Sequence, residues 1–270
     1  MIGQTSGMRY AVSAPNVGDP MQLVALAVTA ERAGWDAFFL WDHLHLVRAL
    51  ALDVHDPWVV LGAAAHATDQ LSLGTLVTPV ARRRPWKLAK EITTLDHLSG
   101  GRVVVGVGLG WPNDDDFEAF GEPADERARA DVYDEGLDLL DRLLRGGPVH
   151  AEGLTYRVDA DMRPAPVQQP RPPIWVAVMV PNTRTLARAA RFDGVVPITP
   201  EATPMTPDAV AALVARIGRT DDYDVVVPRA DGVPAADYAA AGVTWLVAGT
   251  WPEDDWMADL AARVERGPGG

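Results

Sequence analysis

Apolar residues along this chain fall into eight short, nearly unbroken runs separated by longer stretches of helical period. The runs are MRYAVSA (8–14), DAFFLW (36–41), LSLGTLV (71–77), RVVVGV (102–107), IWVAV (174–178), DGVVPI (193–198), YDVVVP (223–228) and VTWLVA (243–248). Runs that do not alternate with polar residues are expected of parallel strands covered on both faces. Between them, MQLVALAVTAERAG (21–34) stops at a glycine, and PWKLAKEITTLDHLSGG (85–101) has a proline at its start and two glycines at its end, the usual punctuation of a helix. ERARADVYDEGLDLLDRLLRGG (126–147) sets Val132, Leu139, Leu140, Leu143 and Leu144 on one stripe. Eight strands alternating with helices predict an α/β fold, a closed (β/α)8 barrel in a single domain over 1–270. The rival, an open doubly wound sheet, needs a glycine-rich phosphate turn after its first strand, and APNVGDP (14–20) is not one. The proline-rich RPAPVQQPRPPIW (163–175) reads as a surface connection across the barrel, because the strand–helix rhythm resumes at once.

Composition narrows the chemistry. The formal charge is −13 and the pI near 4.8, which argues against a nucleic-acid partner, since such binding neutralises phosphates with Lys and Arg. Arg82, Arg83 and Arg84 form the one basic cluster, too small to reverse that balance. Without cysteine there is no disulfide, no thiolate nucleophile and no Cys-ligated metal. The longest apolar stretch, WVVLGAAAHA (58–67), is about half of a membrane span. MIGQTSGMRYAVSA lacks the charged and apolar regions of a signal peptide. A cytoplasmic protein acting on a small molecule is the expectation.

The dipeptide Asp-His occurs twice. Asp96-His97 sits in the last turn of the helix over 85–99, where a histidine complements the helix dipole at the end that feeds the next strand; its expected role is structural. Asp42-His43 directly follows DAFFLW, hence lies at the C-terminal end of a barrel strand, where barrel enzymes keep their active sites. Histidine titrates near neutral pH and suits proton transfer. His45, two residues on, raises the alternative of a barrel metallohydrolase. A metal needs three or four convergent ligands, and the other histidines, His55, His66, His97 and His150, follow none of the later strands. NDDDF (113–117) does not supply them, since consecutive side chains diverge; it reads as a solvated loop and helix start. No metal is expected.

RVVVGVGLGWPNDDDFEAFG (102–121) places Gly106, Gly108 and Gly110 straight after the fourth strand. As a dinucleotide fingerprint the spacing fails, and the glycines read better as backbone lying close to something flat at the barrel mouth, or as a tight turn. Together, GWDAFFLWDHL, GTLVTP, LSGGR, GVGLGW, FEAFG, the Arg129…Glu135 pair and PPIWVAV…TRTLARAARFDGVVP make the chain resemble the luciferase-like monooxygenase family over nearly its whole length.

That resemblance implies a (β/α)8 barrel holding FMN or the deazaflavin coenzyme F420 at its C-terminal mouth, and both cofactors satisfy it. It implies that Asp42 and His43 lie near the ring, His43 as the proton donor or acceptor accompanying hydride transfer. Thr75, Leu76, Val77 and Thr78 match a strand-three bulge behind the ring, with a cis peptide expected at Thr75–Leu76 or Leu76–Val77. Gly106, Val107 and Gly108 match backbone bordering the ring, and Trp111 an active-site tryptophan. Met179, Asn182 and Thr183 fall where relatives bind the cofactor phosphate on a glycine-rich loop; there is no glycine between 175 and 193 here, so Asn182 and Thr183 would cap the helix and meet the phosphate instead. The resemblance further implies an oxidoreductase or monooxygenase acting on a small organic substrate, commonly a homodimer, served by a separate flavin or F420 reductase, with no lid insertion. A flavin-binding barrel without turnover is the alternative. Trp35, Trp58 and Trp86 are expected in the core or at a subunit interface.

Overall fold

The computed structural model describes residues 7–180, 182–219, 222–253 and 255–269. Its strands are β1 (Arg9–Ala14), β2 (Ala37–Leu40), β3 (Ser72–Pro79), β4 (Val103–Gly108), β5 (Pro148–Glu152), β6 (Arg157–Asp161), β7 (Ile174–Met179), β8 (Gly194–Ile198), β9 (Asp224–Pro228) and β10 (Trp245–Gly249). Eight of them, all but β5 and β6, pair in parallel and close on themselves when β10 returns to β1, with Tyr10 opposite Leu246 and Val12 opposite Ala248. This is the expected (β/α)8 barrel, and all eight sequence runs are its strands, with ends displaced by no more than about two residues.

The helices are α1 (Pro20–Arg32), α2 (Pro57–Ala67), α3 (Pro85–Ser99), α4 (Asn113–Asp116), α5 (Glu126–Leu144), α6 (Thr183–Ala189), α7 (Pro207–Ile217), α8 (Ala235–Ala240) and α9 (Trp256–Glu265). Three of them open on the same two-residue device, Asp19-Pro20, Asp56-Pro57 and Thr206-Pro207. The capping oxygen takes a backbone N–H that has no partner within the helix, and proline sits where its missing N–H costs nothing; a cap of this kind contributes about 1 kcal/mol. Each therefore fixes where a loop from the barrel mouth ends and a helix begins.

Why the strand runs are unbroken is now visible. Alternate side chains go to two separate cores. Val12, Phe38, Leu73, Val103, Val105 and Val107 pack outward against the helices. Ala11, Phe39, Val104, Trp175, Val226, Trp245 and Val247 fill the barrel itself. The lower end is plugged by Trp175 and Trp245, 5.2 Å apart. Beneath them Arg9 stacks on Trp245 and pairs with Asp224, which also accepts from Trp175 Nε1 at 3.1 Å.

The hairpin β5–β6 is not legible in the hydrophobic pattern. It lies outside the barrel, and apart from the buried Val149 it alternates between exposed and half-buried residues, with Glu152, Arg157, Asp159 and Asp161 among the exposed ones. Glu135 of α5 holds its turn, accepting from the N–H groups of Thr155 (2.9 Å) and Tyr156 (2.7 Å). The proline-rich segment that follows is the surface connection expected, and it explains Asp96-His97. Asp96, fully buried, accepts from the N–H and Nε2 of Gln168 at 2.9 and 2.7 Å, and His97 Nε2 donates to Ala165 O at 2.8 Å. That Asp-His pair ties the crossover to the barrel bottom. Trp35 and Trp58 are core residues, whereas Trp86 is 38% exposed and packs edge-on against Tyr156.

Candidate active site

The second Asp-His pair emerges at the mouth, immediately past β2. Asn16, fully buried in the loop after β1, fixes its backbone: Nδ2 donates to His43 O (2.9 Å) and His55 O (2.7 Å), and Oδ1 accepts from His43 N (3.3 Å). The imidazole of His43 donates through Nδ1 to Asp116 Oδ2 at 2.7 Å. Nε2 has no partner among the described residues, and the side chain is 16% exposed. With Nδ1–H committed to a carboxylate, neutral His43 presents the Nε2 lone pair and its cation presents an Nε2 proton.

Asp116 corrects the expectation that NDDDF is only a solvated loop. The helix start is there, as α4, but Asp116 is 1% exposed. Its Oδ2 accepts from His43 and from Arg82 Nη1 (3.0 Å), while its Oδ1 accepts from the N–H groups of Leu44 (3.2 Å), His45 (2.7 Å) and Leu46 (3.1 Å). Burial pushes the carboxyl pKa up, but the His43 hydrogen bond, the His45 N–H and the charges of His43 and Arg82 outweigh it and hold the pKa at about 2. Asp115, its neighbour, turns the other way and pairs with Arg48 (3.4 Å). Consecutive side chains do diverge, and one of them points inward.

Asp42 goes behind the site. Its carboxylate is 1% exposed and takes Arg83 Nε and Nη2 at 2.8 and 2.7 Å in a fork, Arg82 Nη2 at 3.1 Å and the Thr78 hydroxyl at 2.9 Å. Every polar contact it makes is to the protein interior, so its geometry is that of an anchor, with no face toward the mouth. Burial and the Asp42 charge act oppositely on Arg83, and the ion pairs with Asp42, Asp56 and Glu91 win, raising its pKa. Arg82 thus bridges two buried carboxylates, Asp42 and Asp116, and links the Asp-His dipeptide to itself through a second strand.

The predicted bulge in β3 is present. Pairing with β4 shifts register between Thr75 and Thr78, and the Leu76–Val77 peptide is cis, one of the two positions expected. Thr75 and Thr78 are fully buried; Thr75 donates to Gly106 O (3.2 Å) and Thr78 to Asp42, so neither hydroxyl faces the mouth. Leu76 and Val77 remain partly accessible. Gly106 and Gly108 are required by the bulge: a Cβ at Gly106 would lie 2.4 Å from Thr75 O, and one at Gly108 2.7 Å from a Val77 methyl. The glycines read as room for a ligand are room for the neighbouring strand. Val107 points outward into the helix layer.

Trp111 is at the mouth, 55% exposed. Its ring lies 6.2 Å from Trp251, which lies 5.5 Å from Trp41, whose edge faces His43 at 5.8 Å. Trp251, just after β10, was not among the sequence candidates. At the end of β7, Met179 is 48% exposed and borders a cavity of about 450 Å³ with Val180, Asn182 and Thr183. Asn182 caps α6 as expected, and its Oδ1 accepts from the N–H groups of Arg184 and Thr185 at 3.0 and 3.4 Å. Pro181 lies outside the described residues. A larger groove, about 1030 Å³, runs outside the barrel between α1 and α9 and reaches the loops after β2 and β10 at Leu50, Leu52 and Trp251; the ionisable pair that suits chemistry, His43 and Asp116, does not line it.

Residues 3–264 match the family model described as luciferase-like monooxygenase. The chain belongs to that family. It is 36% identical over 182 residues to an F420-dependent glucose-6-phosphate dehydrogenase of Beutenbergia cavernae, an alignment covering 62% of this chain and 50% of the relative. It spans about half the length of the curated relatives it matches. The F420-dependent tetrahydromethanopterin reductase of Methanopyrus kandleri superposes with a TM-score of 0.76 at 19% identity, over 96% of this chain and 98% of that one. A type II Baeyer–Villiger monooxygenase of Pseudomonas putida, solved with FMN, superposes with a TM-score of 0.66 at 17% identity, over 81% and 66%. These likenesses at low identity establish the shared barrel.

Proposed function

We propose that this member of the family is an oxidoreductase that moves two electrons between a bound FMN or F420 and a small organic substrate, with His43 as the proton donor or acceptor. The observation carrying this reading is the His43 ring at the barrel mouth, its Nδ1–H held by an ionised Asp116 and its Nε2 left for a ligand. The residues present suit the ring half of such a cofactor: Trp41 packs against His43, and Leu76, Val77 and Met179 are accessible apolar side chains on β3 and at the end of β7. At the phosphate half the fit is poorer, because Asn182 already occupies two of the N–H groups that a phosphate would use.

When bound, the cofactor supplies the electron pair that no side chain can store. The chain's part is to hold His43 in one tautomer, to place Nε2 beside the oxygen or nitrogen that gains or loses a proton, and to keep water off that atom with Trp41. Parallel titration of the purified protein with FMN and with F420, followed by tryptophan and cofactor fluorescence, tests the reading. Saturable binding of either supports it, and binding of neither favours a barrel that has lost its cofactor site. His43→Ala is expected to abolish turnover and leave cofactor affinity within about threefold; full activity in that variant removes His43 from the mechanism.

A further inference from the structure

We infer that the mouth accepts an uncharged, apolar substrate, an aromatic or alicyclic ketone or alcohol, and rejects a phosphorylated sugar. The inference rests on the oxidoreductase reading above and adds the substrate class to it.

The first half of the argument is electrostatic. A phosphomonoester carries up to two negative charges, and bringing them into a partly dry cleft is costly unless cations receive them. Every lysine and arginine of the chain lies among the described residues. The loops that follow the barrel strands carry only Arg48, Arg82, Arg83, Arg84 and Arg229. Arg82 and Arg83 are buried and committed to Asp42, Asp116, Asp56 and Glu91, and Arg48 is paired with Asp115. Arg84 stacks on Trp86 at the start of α3. Arg229 follows Pro228 on the outward-facing side of β9, and its Nε donates to Val233 O at 3.1 Å. Acidic residues on the same loops outnumber these arginines by more than two to one. Three of the five arginines are thus committed to carboxylates, and the other two are held against Trp86 and Val233 O.

The second half is what the mouth does offer. Trp111, Trp251 and Met179 are 55%, 39% and 48% exposed, from three different strand ends, and Trp251 links Trp111 to Trp41 through ring contacts of 6.2 and 5.5 Å. Large apolar side chains left accessible at the strand ends mark a ligand surface. Trp41 in turn abuts His43, so a carbonyl or hydroxyl oxygen at Nε2 would have its hydrocarbon body against indole rings.

Calorimetric titration of the full chain with acetophenone, cyclohexanone and glucose 6-phosphate, each with and without saturating cofactor, tests this. The expected result is saturable binding of the two ketones and none of the phosphosugar. Trp251→Ala is expected to weaken ketone binding by about threefold to tenfold, with Trp251→Phe recovering most of it. Trp251 is partly exposed, and an unchanged melting temperature in both variants shows that the fold is kept. Binding of glucose 6-phosphate, or ketone binding indifferent to Trp251, overturns the inference, as does the absence of ketone binding in a protein that binds FMN or F420. If the ketones bind and neither cofactor does, the substrate class stands and the oxidoreductase reading fails.

Discussion

Replacing Asp116 with asparagine separates positioning from folding in one experiment. The amide oxygen can still accept from the N–H groups of Leu44, His45 and Leu46, which all meet Oδ1. The atom in place of Oδ2 becomes an NH2 group facing two donors, His43 Nδ1 and Arg82 Nη1. Two consequences follow. Removing one member of a buried ion pair costs about 3–5 kcal/mol; because Arg82 keeps Asp42, the lower end, about 3 kcal/mol, is expected, and a chain of this size loses roughly 6–12 °C in melting temperature. The amide can also pair with His43 only if Nδ1 becomes the acceptor, which moves the proton to Nε2 and removes the base. With the cofactor that binds, kcat is expected to fall by about a hundredfold or more, while KM and cofactor affinity stay within about threefold. Asp116→Glu keeps the charge and is expected to restore the pH–rate profile in part. The assays are thermal melting, cofactor titration and the pH dependence of kcat. A melting temperature within about 2 °C of the parent, together with an unaltered pH–rate profile, would refute the coupling of His43 to Asp116.

Other predictions follow from the same geometry. The folded pKa of Asp116, about 2, lies below the ordinary aspartate value of 3.8, so its stabilisation is fully present above pH ~4 and is lost as pH falls from ~4 toward ~2, about 2 kcal/mol in all; denaturant midpoints measured across that range should fall less steeply in Asp116→Asn. Gly74→Ala places a Cβ 1.7 Å from Val104 O, and Gly106→Ala 2.4 Å from Thr75 O; both should yield insoluble or poorly melting protein, and a well-folded Gly106→Ala would show that the β3 bulge is not rigid. His97→Ala removes one hydrogen bond to Ala165 O at the barrel bottom and should cost about 1 kcal/mol without changing cofactor affinity.

How much of this was legible in the sequence follows from where burial is symmetric. Barrel strands are covered on both faces, so their apolar runs are continuous and all eight stand out. The β5–β6 hairpin buries little, and its charged alternation resembles a loop. Asp42-His43 was placeable because it directly follows a strand, whereas the division of labour within the pair depends on contacts made 40 and 73 positions away in sequence, by Arg82 to Asp42 and by Asp116 to His43.

The arginine triplet was the signal available for finding those contacts. In a chain of net charge −13, three adjacent cations are too few for an external polyanion, and that much the composition supports. Adjacent side chains on an irregular segment point in different directions, however, so such a triplet can serve several internal partners at once: Arg82 reaches Asp116 and Asp42, Arg83 reaches Asp42, Asp56 and Glu91, and Arg84 covers Trp86. The same holds for the acidic run, in which Asp115 takes Arg48 and Asp116 takes Arg82 and His43. Arg129 completes the arrangement. Fully buried, it stacks on Phe117 at 4.2 Å and donates to Asn113 Oδ1 and to the carbonyls of Pro123 and Ala124, holding the turn that carries Asp116 against the barrel. Burial lowers its pKa, while the charges of Glu126 and Asp125 oppose that. Arg129→Met, which keeps the apolar stem and removes the donors, is therefore expected to loosen the α4 turn and act at a distance on His43. Its melting temperature should drop by less than that of Asp116→Asn, and its kcat should fall while cofactor affinity holds. Wild-type kcat in Arg129→Met would mean that Asp116 is held by Arg82 and the three N–H groups alone.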